Sequence, residues 1–173
     1  EKQILIKQKY KKTNTQFIAN SEDTYAYFQK VLLKKDRKNV KIIYNAVDLS
    51  KFAVAEEKTL APERPLQLIN VGSFQKKKNQ IFLIEIAKYL RDKNIAFEFN
   101  LIGDGAEKEN VANAIKANGL ENQVFLRGIQ NNVEDWLKKS DIYVHSAYYE
   151  PFGIVLLEAM AMGLPCITTS LAN

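Results

Sequence analysis

Cysteine and histidine are scarce in this 173-residue chain, which contains one of each, Cys166 and His145. A single cysteine excludes a disulfide within the chain and is typical of a reducing compartment. The same scarcity excludes a metal site built from Cys and His ligands. We therefore expect no metal centre, and we expect Cys166 to be an inert residue of a buried strand.

Long apolar runs are also missing. No stretch of 18 or more apolar residues occurs, so the sequence predicts no membrane-spanning helix, and no apolar segment of a signal peptide is recognisable near residue 1. With 46% hydrophobic and 26% charged residues, the composition is that of a globular protein, and the length fits one domain with or without a piece of another. We expect a cytoplasmic protein; peripheral contact with the inner face of the membrane stays open.

The net charge of +5 is concentrated in two lysine clusters, one in residues 2–12 and one at Lys76–Lys78. Basic surfaces attract phosphates, whether of sugar nucleotides, lipid head groups or nucleic acid. A solvated lysine face is the plainer interpretation of the first cluster. Aromatic residues are not interleaved with these lysines in a stacking pattern, so we do not expect nucleic-acid binding.

From residue 66 onward, short β-rich runs alternate with longer helical patterns, which predicts an α/β fold with a parallel sheet. Ligands of such sheets bind at the carboxyl ends of the strands. The predicted strands are 66–72, 97–102, 124–127, 141–146 and 166–169, and the predicted helices are 79–93, a polar helix ending near Gly119, 133–139 and 153–162.

Residues 1–60 form a separate region in this interpretation. They predict a strand over 17–21, a helix over 22–35 capped by Ser21, and a strand over 40–44. A polar stretch containing Pro62 and Pro65 follows and is typical of a linker. We expect a boundary near residue 60 and one domain over 61–173.

The strongest chemical signal is the segment 150–158, directly after a predicted strand. Pro151 suits the first turn of a helix, and Gly153 lets a ligand approach helix N–H groups that favour an anion. Glu150 and Glu158 lie on either side of this cradle and could accept hydrogen bonds from sugar or ribose hydroxyls. Taken alone, two such glutamates are more often a helix-terminal charge and a surface residue. The apolar sequence around Glu158 favours the ligand site.

These residues resemble the E-x7-E motif of the family 4 retaining glycosyltransferases, whose GT-B architecture has two Rossmann-like domains. Further similar segments stand in the family's order: Asn45–Asp48 with Phe52, Val71–Gly72 with Lys78–Asn79, Leu101–Gly105, Phe125–Gly128, and Glu158–Cys166. The resemblance covers roughly residues 15–173. It implies an incomplete C-terminal, donor-binding domain with helices on both faces of the sheet, preceded in residues 1–60 by the tail of the acceptor domain and a linker.

The resemblance implies roles for the matching residues. Glu150 and Lys78 would be catalytic, Glu150 contacting the transferred sugar and Lys78 neutralising the diphosphate, while Glu158 would bind the ribose hydroxyls. Gly72 would allow close approach of the donor, and main-chain groups of residues 152–154 would contact it. The donor-binding set is Gly72, Ser73, Lys78, Gly103, Asp104, Ile129, Glu150, Phe152, Gly153, Ile154, Val155 and Glu158.

Two positions depart from the family pattern. Ser73 stands where many members have an arginine that faces the phosphates. We expect that either Lys76 or Lys77 replaces this positive charge or the helix dipole contributes more to phosphate binding. Ala46 replaces a usual glycine. The recurrent histidine of the family belongs to the other domain, so we assign His145 no catalysis.

The function implied is sugar transfer with retention from a nucleotide sugar, UDP- or GDP-linked, to a glycan or lipid-linked acceptor in cell-surface polysaccharide synthesis. No separate cofactor is expected. The isolated chain would bind the donor but transfer sugar poorly. A non-catalytic nucleotide-sugar-binding module and a sugar-nucleotide epimerase are the alternatives; the sugar, the acceptor and the oligomeric state stay open.

Overall fold

The computed structural model describes residues 15–54, 63–150 and 152–170. The basic cluster of residues 2–12, Pro62 and Pro151 lie outside the described residues. The chain divides into two compact units, Glu1–Ala46 and Val47–Asn173. No helix in the described part of the chain is both long and apolar enough to cross a membrane.

The first unit is a small β–α–β arrangement. Its elements are β1 (Phe17–Ala19), α1 (Glu22–Val31), α2 (Lys34–Arg37) and β2 (Val40–Ile42), and the two strands pair in parallel. Ser21 caps α1 as predicted, because its hydroxyl accepts a hydrogen bond from the Thr24 N–H at 3.1 Å. The predicted helix 22–35 is too long. Leu32 has extended backbone angles and is buried with Val31, so the helix ends there and α2 starts separately.

The second unit follows the predicted alternation closely. A 3-10 turn covers Lys76–Lys78, after the first strand. Its other elements are β3 (Leu66–Val71), α3 (Gln80–Asp92), β4 (Phe97–Ile102), α4 (Lys108–Ala117), β5 (Val124–Gly128), α5 (Val133–Lys139), β6 (Ile142–His145), α6 (Ile154–Ala161) and β7 (Cys166–Thr168).

These strands form one parallel sheet in the order β5-β4-β3-β6-β7. Alternate side chains of β3 enter two cores: Leu68 packs with α3 and α4 on one face, and Ile69 packs with α5 and α6 on the other. The α/β fold is therefore confirmed. The chain proceeds outward from β3 to β5 and then returns to place β6 on the other side of β3. This change of direction opens a crevice at the carboxyl ends of β3 and β6.

Two details differ from the sequence-based expectations. Residues 47–54 belong to the second unit, where Phe52 is buried beside Ile69, so the division falls earlier than residue 60. The residues predicted as a linker lie mostly outside the described residues. The last strand, β7, is not buried: Ile167 is 55% exposed and Cys166 is half-buried, because β7 ends the described sheet.

Candidate functional site

The floor of the crevice is built from the loops that follow β3 and β4. The Gly72 N–H donates to the Ile102 carbonyl at 3.0 Å, and the Phe74 N–H donates to the Asp104 carbonyl at 2.9 Å. Gly103 has a φ of 134°, and a β-carbon there would lie 2.0 Å from the Gly72 carbonyl oxygen. Only glycine permits this approach of the two loops. Gly72 itself has open space around the position of a β-carbon.

The loop after β3 is fastened to the loop after β6. The Ser146 hydroxyl donates to the Lys78 carbonyl at 2.8 Å, and the Tyr148 N–H donates to the Lys77 carbonyl at 2.8 Å. These bonds fix the 3-10 turn so that the Lys78 ammonium forms an ion pair with the Glu150 carboxylate. The two side chains are only 19% and 17% exposed. The structure thus brings together the two residues predicted to be catalytic.

Glu150 is held as an anion at the start of α6. Burial acts to raise the pKa of its carboxyl, but the hydrogen bonds from Lys78 and from the Gly153 N–H, together with the Lys78 charge, leave the pKa below its usual range. Gly153 has a φ of 73°, and a β-carbon there would lie 3.3 Å from Glu150 Cγ. The N–H groups at the amino terminus of α6 and the helix dipole add to the positive potential beside Lys78.

Glu158 lies within α6 in a different setting. Its carboxyl is half-buried, and burial raises the pKa; Lys51 opposes this shift and Glu134 adds to it. Lys51 and Glu134 pair with each other at 3.2 Å. Lys51 lies in the segment that precedes the sheet, and sequence spacing did not predict that it would lie near Glu158. A half-buried carboxylate that is costly to ionise is suited to accept hydroxyl hydrogen bonds from a ligand.

The remaining predicted donor residues have mixed settings. Asp104 pairs with Lys108 at 2.6 Å and accepts from the Gly105 N–H at 2.7 Å, so its carboxylate supports the turn. Val155 packs partly into the core, which leaves its backbone for a ligand. The side chains of Ile129, after β5, and Ile154 are 76% and 38% exposed, and Phe152 is half-buried. Ser73 is exposed, and its carbonyl accepts a hydrogen bond from the Gln80 side-chain amide at 3.1 Å.

Lys76 and Lys77 take different positions beside the site. Lys77 contributes its carbonyl to the bond with Tyr148. Lys76 lines a separate cavity of about 190 Å³ together with Gln80 and Glu107. Whether either lysine compensates for Ser73 stays a prediction.

Sequence reasoning missed the pair Tyr143 and His145 on β6. Both are buried, and the Tyr143 hydroxyl lies 3.3 Å from His145 Nδ1 and 3.3 Å from the Val71 carbonyl, to which it donates. His145 Nε2 faces Glu150 Oε2 at 3.8 Å. The signal was available: strand alternation places 143 and 145 on one face, and 145 is the last residue of the strand beside the crevice.

Comparison with known proteins places this arrangement in a family. Residues 51–173 match the model of the family described as glycosyl transferases group 1. The chain belongs to the glycosyl transferases group 1 family. The matched range includes Lys78, Glu150 and Glu158 and thus the whole crevice described above. The glycosyltransferase expectation of the sequence is thereby confirmed at the level of the family.

Relatives extend this similarity. The chain is 32% identical over 150 residues to the UDP-Gal:alpha-D-GlcNAc-diphosphoundecaprenol alpha-1,3-galactosyltransferase of Escherichia coli, which covers 79% of this chain and 38% of that protein. It is 32% identical over 143 residues to the N-acetyl-alpha-D-glucosaminyl L-malate synthase of Bacillus anthracis, which covers 79% of this chain and 37% of that protein. The chain therefore spans well under half the length of these relatives.

A solved structure confirms the fold. The Anabaena protein HepE, determined with UDP and glucose, superposes with a TM-score of 0.80 at 20% identity, covering 98% of this chain and 48% of that one. At this level of identity, the likeness concerns the fold. The parallel sheet flanked by helices is that of the C-terminal domain of GT-B glycosyltransferases, as the sequence predicted.

Proposed function

We propose that this chain carries the donor site of a family 4 glycosyltransferase that transfers a hexose from a nucleotide sugar with retention of configuration. The observation that carries the proposal is the meeting of Lys78 and Glu150 beside the amino terminus of α6. A lysine, the N–H groups at the amino terminus of a helix and an accessible Gly72 suit a diphosphate, and two carboxylates suit the hydroxyls on either side of it.

The chemistry requires stabilisation of a diphosphate leaving group. Lys78 and the N-terminal N–H groups of α6 supply positive potential where that negative charge develops. Glu150 then orients the transferred sugar by accepting a hydrogen bond from a hydroxyl. The leaving phosphate helps to remove the acceptor proton on the same face of the sugar, so neither glutamate has to act as a nucleophile.

The other half of the reaction is proposed from the relatives. The Escherichia coli relative takes its name from a UDP-linked sugar and an undecaprenol-linked acceptor. By analogy, we expect a UDP- or GDP-linked donor and a glycan or lipid-linked acceptor in cell-surface polysaccharide synthesis, at the cytoplasmic side of the membrane. The first unit would be the tail of an acceptor domain, and the isolated chain would bind the donor but turn it over poorly.

Calorimetric titration with UDP-glucose, GDP-mannose and ADP-glucose tests the proposal. Wild type should bind at least one of them, and Glu158→Ala should weaken that binding by about 10- to 150-fold, the loss of a hydrogen-bond pair to a charged group worth about 1.5–3 kcal/mol. Glu85→Ala is the matched control, because Glu85 is an exposed glutamate of α3. Equal affinities of wild type and Glu158→Ala would remove the ribose-binding role, and appreciable sugar transfer by the isolated chain would contradict the half-site assignment.

A further inference from the structure

His145 is a buried histidine that the proposed chemistry leaves unused. It ends β6 with its side chain only 7% exposed, and its ring lies 6.0 Å from the Tyr143 ring in a stacked orientation. Its Nδ1 is 3.3 Å from the Tyr143 hydroxyl, but Nε2 has no hydrogen-bond partner among the described residues. A buried polar atom without a partner at the edge of a ligand site calls for a function.

The Tyr143 hydroxyl lies 3.3 Å both from the Val71 carbonyl and from His145 Nδ1. Burial raises the pKa of Tyr143 far above its usual range, so the phenol keeps its proton, and it donates that proton to the Val71 carbonyl. In this arrangement the phenol oxygen accepts a hydrogen bond from His145 Nδ1–H, and the proposal below takes this tautomer of the neutral imidazole as its starting point. Nε2 is therefore a bare lone pair, and it faces the Glu150 carboxylate at 3.8 Å.

The charges of the site are close to electrical balance in the free protein. Lys78 and Glu150 neutralise each other, and burial is the main cause that keeps the pKa of His145 below its usual value; Glu150 raises this pKa and Lys78 lowers it. A nucleotide sugar brings two negative charges that, in the proposed function, draw Lys78 away from Glu150. Glu150 would then be a carboxylate, only 17% exposed, beside a diphosphate, without its lysine.

We propose that His145 is a positioning residue that binds a proton from solvent at Nε2 when the donor binds, and so replaces Lys78 as the partner of Glu150. The inference rests on the proposed function. A movement of about 1 Å would bring Nε2 and Oε2 to the length of a charge-assisted hydrogen bond. The proton adds to the Nε2 lone pair, and the resulting N–H donates a hydrogen bond to Oε2 of Glu150. The Nδ1–H still donates to the Tyr143 oxygen. Glu150 is thereby held in place for the transferred sugar.

The titratable groups that face His145 come from three elements. Lys78 comes from the 3-10 turn, Glu150 from the loop before α6, and Tyr143 from its own strand; β3 contributes the uncharged Val71 carbonyl through Tyr143. Glu158 and Cys166 act on Tyr143, where both reinforce the neutral phenol. Among these groups, only Lys78 is expected to change partner on donor binding, so the direction of the shift is set: His145 should gain a proton.

The single histidine makes the experiment direct. In the 173-residue chain produced without a histidine tag, one imidazole ε1 proton signal reports the pKa of His145 by NMR titration. UDP-glucose is the probe, because its diphosphate diester does not titrate near neutral pH. We expect the pKa of His145 to lie below the usual histidine value in the free protein, because the ring is buried, and to rise by about one unit or more at saturation. Affinity for UDP-glucose should fall as pH rises from the pKa of His145 in the free protein to its pKa in the complex, by at most about tenfold per pH unit.

Two variants separate positioning from packing. Glu150→Gln should abolish most of the rise, because the carboxylate that attracts the proton is gone. His145→Gln places an amide that can donate without taking up a proton, so binding should persist and lose its pH dependence. An unchanged or lowered pKa of His145 in the UDP-glucose complex would overturn the inference. An undiminished pH dependence of binding in His145→Gln would overturn it as well. Neither result would contradict the proposed donor site. Absence of binding by UDP-glucose, GDP-mannose and ADP-glucose alike would overturn the proposed function and this inference with it.

Discussion

Gly72→Ala tests whether the donor approaches the chain at the end of β3. A β-carbon at Gly72 would meet no atom within 4 Å, and its φ lies outside the positive range that strains other residues. Folding stability should therefore change by no more than about 1 kcal/mol, and in the favourable direction, because alanine narrows the unfolded ensemble. A diphosphate packed on this backbone would meet the new methyl group. Overpacking of about 1–3 kcal/mol corresponds to a loss of affinity of about 5- to 150-fold.

Two other glycines supply the controls. At Gly103 the β-carbon would lie 2.0 Å from a backbone oxygen at a φ of 134°, so strain and overpacking combine and Gly103→Ala should lose about 2–6 kcal/mol of unfolding free energy. Gly119 has a φ of 62° but no neighbour within 4 Å, so Gly119→Ala should lose only the left-handed cost of about 1–2 kcal/mol.

Urea unfolding and calorimetry with UDP-glucose measure the two quantities separately. Wild-type affinity in Gly72→Ala would show that the donor does not pass over this position. Equal losses of stability in Gly103→Ala and Gly119→Ala would refute the argument from the contact between the β3 and β4 loops.

Two further predictions concern stability. Asp141 is 6% exposed and is held by a bidentate Arg64 (2.7 and 2.5 Å) and by the Gln67 N–H at 2.8 Å, so Arg64→Ala should cost about 1–3 kcal/mol in urea unfolding. Lys108→Ala, which breaks the exposed pair with Asp104, should cost less than about 1 kcal/mol, and equal losses would contradict the role of burial. Burial raises the pKa of Glu158, so the contribution of this residue to folding stability is greatest in acid and falls as pH rises through the raised pKa. Glu158→Gln should therefore raise the urea midpoint at pH 7 relative to Glu85→Gln. A lowered midpoint would refute this sign.

The elements of the second unit could be predicted from local pattern. The strand over Phe97–Ile102 and the helix over Val133–Lys139 match the prediction at both ends, because glycines and polar residues bound a clear periodicity there. The predicted end of α1 was wrong because a tertiary contact decides it: Leu32 leaves helical geometry and is buried with the core of the first unit. Local propensity contains no information about such a contact.

The candidate site was predictable in its parts but not in its contacts. Glu150 and its helix were recognisable from a continuous segment, whereas Lys78 lies 72 residues earlier and meets Glu150 because β3 and β6 are neighbours in the sheet. Nothing in the spacing of either residue shows that pairing. The contacts of Phe52 and Lys51 were also beyond reach, since their segment, expected beside a linker, instead belongs to the second unit.

The proposed protonation of His145 could supply the positive charge that the site lacks because position 73 is a serine. The resemblance implies an arginine and a lysine that face the diphosphate together. With Ser73 at the position of the arginine, Lys78 would be left alone for this role, and Lys78 is paired with Glu150. A permanent second cation would hold the site positive at all times. In the proposed role, His145 is neutral in the free protein and charged in the donor complex, so it would supply that cation only when the diphosphate is bound. Without the donor, no buried positive charge then remains unpaired, which would be costly in so enclosed a position. Ser73→Arg should consequently reduce the rise in the pKa of His145 on donor binding.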